Sequence, residues 1–269
     1  MVLFLALCSL LVSILVNGLA DNLTAPEGRP FLALLLPRCQ YCGSTRKPFD
    51  LSAVVSSLFN SGRCLRCGAP RPFRDLSVEA VLMISFPVFW LFGRTGALDL
   101  FWAGFVLAAF LLFLVIDFEH RYVLGGVVVL AALVLIAIGG LQGYPALLRT
   151  LGGGIAGFMI FLFLYLLGGL LGRLFHLGEG IEPLGFGDVI LAGLVGVATG
   201  WPSILLAVLF SIILAGLVGL VLLAVALMRG ESPRDATMAY GPYLMISGLI
   251  VCFYGGPFLE WTLNAMKFF

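Results

Sequence analysis

Apolar runs of about twenty residues recur along the whole of this 269-residue chain and leave little room for charge. As an α-helix, a run of that length matches the hydrocarbon thickness of a bilayer. Hydrocarbon offers no partner to a backbone N–H or C=O, so a crossing segment must close its hydrogen bonds within itself. The expected fold is all-α, a polytopic membrane protein with about eight transmembrane helices. They are placed near 1–19, 78–93, 97–116, 122–141, 150–174, 186–201, 203–228 and 237–257. Charged residues are 11% of the chain, about half the share of an ordinary soluble domain. That excludes a disordered chain, a water-soluble globule and a basic nucleic-acid-binding domain, and no nucleic-acid partner is expected.

The positions of the charges give an orientation. No Lys or Arg precedes the first apolar run, which is also longer than the hydrophobic part of a secretory signal, so it reads as a retained helix. Positive charge begins at Arg29. Of the 15 Lys and Arg residues, twelve fall on one side under the eight-helix reading, and eight of those lie in 20–77. The positive-inside rule then puts the N-terminus outside and 20–77 in the cytoplasm. The chain divides into a first transmembrane helix (1–19), a cytoplasmic loop (20–77) and a transmembrane bundle (78–269). Gly153 with Gly157, Gly168 with Gly172, and Gly196 with Gly200 have the small-xxx-small spacing of closely packed helices.

The 20–77 loop holds four of the six cysteines, as Cys39-Gln-Tyr-Cys42 and Cys64-Leu-Arg-Cys67, each pair followed by glycine (Gly43, Gly68). Glycine frees a tight knuckle turn that aims backbone N–H groups at sulfur. Paired C-x-x-C knuckles at this separation fit a four-thiolate structural zinc site with no open position for catalysis. Such an ion folds a segment too small to hold a core. Disulfides and unrelated free thiols are the alternatives, and the reducing side expected for the loop argues against the first. Cys8 and Cys252 lie in apolar segments as small core residues.

The few acids fall at the edges of apolar segments. Asp117 ends the run from Phe110 to Ile116, and Asp188 opens one in Gly185-Phe-Gly-Asp188-Val-Ile-Leu. Each has an ordinary explanation: a helix-end tie to Arg121 for Asp117, and the helix dipole for Asp188. Both are expected at the cytoplasmic face, where a carboxylate close to hydrocarbon is costly unless it has a use. Two carboxylates sharing a site keep one proton between them, which is the arrangement of aspartic protease chemistry. Asn17 and Asp21 could face the same cavity or be plain helix-end residues. His176, Glu179 and Glu182 have no recognisable metal-ligand spacing. The charged stretch 229–238 is placed to gate a site or meet a substrate.

These residues, in order, resemble the type IV prepilin peptidases, membrane aspartic proteases of the GxGD type. The resemblance rests on Asn17-Gly-Leu-Ala-Asp21, the two C-x-x-C knuckles, Arg71-Pro72 with Glu79, Ile116-Asp117-Phe-Glu119, Glu182 with Gly185-Phe-Gly-Asp188-Val, and Tyr240-Gly-Pro-Tyr243. It implies Asp117 and Asp188 as the catalytic pair and Cys39, Cys42, Cys64 and Cys67 as zinc ligands. It implies cleavage of the leader of type IV pilin-like or pseudopilin precursors, at the cytoplasmic face of a bacterial inner membrane. Long members also methylate the new N-terminus with S-adenosylmethionine, an activity the cysteine-bearing loop leaves open here.

The chain departs from the family pattern in two places. Val123-Leu124-Gly125 stands where the family usually has Leu-Pro-Asp or Ile-Pro-Asp, and Ile190 where it often has Lys. Two readings compete with the peptidase: a catalytically impaired relative serving as an assembly partner, and a zinc-stabilised membrane transporter.

Overall fold

The computed structural model describes residues 2–23, 35–47, 50–60, 62–91, 96–174, 185–229 and 239–266. Glu182, His176, Glu179 and the stretch 230–238 lie outside the described residues. The described residues form nine helices: α1 (Val2–Leu23), α2 (Ala53–Asn60), α3 (Phe73–Leu91), α4 (Ala97–His120), α5 (Gly125–Leu141), α6 (Tyr144–Leu174), α7 (Phe186–Thr199), α8 (Ile204–Arg229) and α9 (Gly241–Met266). Among the described residues strand pairing is limited to two isolated bridges, Arg38 with Thr45 and Arg63 with Pro70. The all-α expectation holds, and eight of the nine helices coincide with the eight apolar segments. Helices α1, α4, α6 and α8 contain stretches long and apolar enough to cross a membrane, and α5, α7 and α9 contribute shorter apolar stretches.

Packing divides the chain into two compact units, Met1–His120 and Arg121–Phe269. In the first unit, α1 is a membrane helix turned inside out relative to a soluble one. Ser9, Ser13 and Asn17, spaced by four, are buried, whereas Phe4, Leu7 and Leu11 are exposed. Spacing by four keeps the polar side chains on one face. Each serine hydroxyl donates back to the carbonyl three residues earlier (Ser9 to Ala6, Ser13 to Leu10, both 2.8 Å), so neither reaches the packing surface unbonded. Asn17 donates to the Asp75 carbonyl at 3.2 Å, tying α1 to α3.

Several helix limits differ from the sequence expectation, among them the start of α6 at Tyr144 and the end of α9 at Met266, and three lie in the first unit. Helix α1 runs on to Leu23, so Asn17 and Asp21 lie inside it. Its extension is held by Asn22, which donates to the carbonyls of Gly18 (2.7 Å) and Leu36 (2.9 Å), and by Asp21, which accepts the Arg38 N–H (3.1 Å). Helix α3 starts at Phe73 rather than near 78, and α4 ends at His120 rather than at 116. Their polar ends remain helical because their side chains bond to one another. The apolar pattern alone cannot see such bonds.

In the second unit Gly153 and Gly196 do what their spacing implies. A Cβ on Gly153 would sit 2.2 Å from the Gly196 carbonyl oxygen, and one on Gly196 would sit 2.1 Å from the Gly153 oxygen. Helices α6 and α7 therefore cross backbone against backbone. Such approach is open only to glycine, so Gly196→Ala should cost about 2 kcal/mol. Gly216, with nothing within 4 Å of its Cβ position, is the control, and Gly216→Ala should change stability by less than about 0.5 kcal/mol. Thermal unfolding of the two variants in detergent separates the outcomes.

Candidate metal centre and catalytic carboxylates

The four cysteines of the 20–77 loop come together. Their sulfurs all lie within 4.8 Å of one another, with Cys39 Sγ 3.6 Å from Cys67 Sγ and Cys42 Sγ 4.0 Å from Cys64 Sγ. The two knuckles are built alike. Gly43 N–H donates to the Cys39 carbonyl and Gly68 N–H to the Cys64 carbonyl, both at 2.9 Å. Both glycines have left-handed φ, 65° and 71°, as the turn requires. Four thiolates at ~2.3 Å from a tetrahedral ion have sulfur–sulfur edges of about 3.8 Å. The observed spacings bracket that edge, so the cluster fits a metal ion with four sulfur ligands.

Crowding splits the thiols. The Ser44 hydroxyl and backbone N–H donate to Cys42 and pull it down to about 6. At Cys67 the Ala69 N–H pulls downward too, yet burial and the three neighbouring sulfurs outweigh it and push the thiol up to about 12. Four sulfurs this close cannot all ionise unless a cation sits among them.

The knuckles stand on a buried polar lattice that sequence reasoning caught only in part. Arg71, 3% exposed in its side chain, uses its whole fork: Nε donates to Asp75 (2.8 Å), and Nη1 and Nη2 donate to the carbonyls of Asp50 and Leu51 (both 2.9 Å). Asp50 also accepts from Arg46 (3.2 Å) and Ser56 (2.7 Å). Glu79, fully buried on α3, accepts from the Ser52 hydroxyl (2.7 Å) and from the N–H groups of Ala53 (2.6 Å) and Val54 (3.0 Å). It therefore caps α2 from another helix, satisfying first-turn donors that have no intrahelical partner. Arg74 donates to Asp75 (3.1 Å) and bonds Asp21 of α1 and Glu119 of α4, so one guanidinium joins three helix ends. The spacing of Arg71, Arg74, Asp75 and Glu79 along one helical face was the available signal.

Asp117 belongs to the first unit. It is 6% exposed in the last turn of α4, two residues before the Arg74-bound Glu119. The chain leaves α4 at Arg121, whose φ of 51° is left-handed. Asp188 belongs to the second unit, in the first turn of α7, where its N–H donates to the Gly185 carbonyl (3.0 Å). The glycine before it is sterically required. A Cβ on Gly187 would lie 2.7 Å from Val123 Cγ2, whereas Gly185 has only ordinary contacts around its Cβ position. On the other side of Asp188, Ile190 Cδ1 lies 3.4 Å from the Cβ position of Gly125. The two departures from the family pattern thus lie near one another, and Val123 packs against the first turn of α7. Tyr240, opening the Tyr-Gly-Pro-Tyr segment, bonds its hydroxyl to Ser211 (2.6 Å), packs against Phe161 in a tilted ring pair with centroids 5.6 Å apart, and lies within electrostatic reach of Asp188.

Comparison with known proteins divides the chain at a different place, between residues 92 and 100. The profile of the Type IV leader peptidase family matches residues 100–220, a span that includes Asp117 and Asp188. The profile of the Bacterial Peptidase A24 N-terminal domain matches residues 7–92, a span that includes all four clustered cysteines. Relatives named prepilin leader peptidase/N-methyltransferase occur in Pseudomonas putida (31% identity, 88% of this chain, 78% of the relative), Pseudomonas aeruginosa (31%, 82% and 73%) and Legionella pneumophila (29%, 87% and 78%). No solved structure matches.

Two predictions follow from this geometry. Arg71→Leu leaves Asp75 and two carbonyls without their buried donor and should cost about 3–5 kcal/mol, read as lowered thermal stability and faster proteolysis of the loop. Gly187→Ala should cost about 1–3 kcal/mol by overpacking, and the double variant Gly187→Ala/Val123→Gly should recover part of that loss in the same unfolding assay.

Proposed function

The chain belongs to the type IV leader peptidase family, and on that premise we propose an intramembrane aspartic endopeptidase that removes the leader of type IV pilin-like or pseudopilin precursors. Asp117 and Asp188 are its catalytic carboxylates. The observation that carries the reading is a buried carboxylate, Asp117, in the last turn of a 24-residue apolar helix. A charge so placed is costly unless it is used. Asp188 opens α7, whose 14 residues rise only about 21 Å, short of a hydrocarbon core of about 30 Å. A helix that short leaves its first turn, with Asp188, near one face of the apolar layer or within it.

Two carboxylates that share one proton divide the labour. The ionised one takes a proton from water as the water oxygen attacks the scissile carbonyl carbon. The protonated one donates to the carbonyl oxygen. Collapse of the tetrahedral diol returns a proton to the leaving amine, which becomes the new N-terminus of the mature pilin.

The four-cysteine cluster holds zinc in a closed, structural role, folding the 20–77 loop as a cytoplasmic insert beside the 78–269 bundle. The protein is a multi-pass protein of the bacterial inner membrane, with its N-terminus outside and its active site facing the cytoplasm. The name of the relatives includes N-methyltransferase, so methylation of the new N-terminus, with S-adenosylmethionine as donor, is part of the proposal. No cluster among the described residues has the character of a nucleoside site, and no step is assigned to that donor.

The test is a cleavage assay in detergent, using a precursor whose basic leader ends in glycine before a hydrophobic helix. Wild type should release a leader-sized fragment. Asp117→Ala and Asp188→Ala should each lower the rate by about a thousandfold or more while keeping the unfolding temperature and metal content. Persistent cleavage by either variant sinks the assignment. Cys39→Ser/Cys67→Ser should lose the metal, and acidification should release it from wild type, since protons compete for the thiolates.

A further inference from the structure

The ionic lattice has a side effect on the surface of the cysteine-bearing loop. Every described carboxylate between residues 35 and 79 is buried: Asp50 at 2%, Asp75 at 1% and Glu79 at 0%. They are matched inside by Arg46, Arg71 and Arg74. The described cations outside the lattice include Lys47, Arg63 and Arg66, all exposed. Between residues 35 and 79 the described carboxylates are thus buried while Lys47, Arg63 and Arg66 are exposed.

The loop and the start of α3 also expose large apolar side chains. Helix α2 buries Ala53 and Ser56 but exposes Leu58 at 76% and Phe59 at 85%, and Phe73, the first residue of α3, is 80% exposed. Their depth is set by the Glu79 cap. Glu79 sits in the second turn of α3, where the charged first turn gives way to the apolar run, and it binds the first N–H groups of α2. An eight-residue helix rises about 12 Å, so Leu58 and Phe59 lie within about that distance of the point where α3 turns apolar. Aromatic and aliphatic groups beside Lys and Arg at this level match a headgroup region.

We propose that this face, formed by Leu58, Phe59 and Phe73 with Lys47, Arg63 and Arg66, is a docking surface for anionic phospholipid. The apolar side chains enter the headgroup–acyl boundary and the cations meet the phosphates. The charge complementarity singles out a negatively charged bilayer over a neutral one. The surface is separate from the metal ligands and from both aspartates, and the proposal does not rest on the peptidase assignment.

Hydrogen exchange on the full chain tests it, in nanodiscs of phosphatidylcholine alone and in nanodiscs with a third of the lipid replaced by phosphatidylglycerol. Amides of 57–66 should exchange about tenfold more slowly in the anionic discs. Lys47→Glu/Arg66→Glu should erase that difference while exchange of 71–79 and the metal content stay as in wild type. Leu58→Ser/Phe59→Ser should raise exchange of 57–66 in anionic discs. Equal exchange of wild type in the two lipids overturns the proposal, as does protection that arises only when an acidic protein is added to neutral discs.

Discussion

Hydrocarbon cannot hydrogen-bond, and the architecture follows from how the chain copes with that. Backbone groups are closed into helices. The serine hydroxyls of α1 are folded back onto the carbonyls of their own helix. Between α6 and α7, where backbone meets backbone, glycine removes the side chains altogether. What polarity remains is gathered at helix ends or in the cysteine-bearing loop, so the few charges of this chain are concentrated where chemistry or folding can use them.

In the first unit the gathering takes the form of one continuous network. Arg46, Asp50, Arg71, Asp75, Arg74, Asp21 and Glu119 pass contacts from the base of the cysteine knuckles to the end of α4, beside Asp117. Buried charges of this kind are weak evidence of net stability, because desolvation offsets much of their attraction. Their value lies in geometry. A guanidinium with all its donors engaged tolerates one arrangement of its neighbours, so the ends of α1, α3 and α4 are held in register by Arg74. A small loop with little core is held by Arg71, by Glu79 and by the four sulfurs.

The second unit handles Asp188 by sterics instead. Val123 fills the space that any side chain at residue 187 would need, and Ile190 rests against Gly125. Contacts of this kind span some 65 residues of chain, and no local pattern announces them.

The eight apolar helices, the paired knuckles and the two aspartates at segment edges were legible because each is a local pattern: run length, short spacing, or a charge beside hydrocarbon. Membership of the peptidase family was legible from the order of those motifs. The extension of α1 past Asp21, the early start of α3, the cap that Glu79 places on α2 and the reach of Arg74 were not. Each depends on partners distant in sequence, and a helix end held by side-chain bonds looks in sequence like the beginning of a loop. Sequence by itself determined which segments are apolar helices and where the cysteines and the few acids fall among them, since the transfer of side chains and backbone into hydrocarbon is decided segment by segment. Tertiary structure alone decided which charges are neutralised inside and which remain on the surface, because pairing depends on distances between segments that only folding brings together.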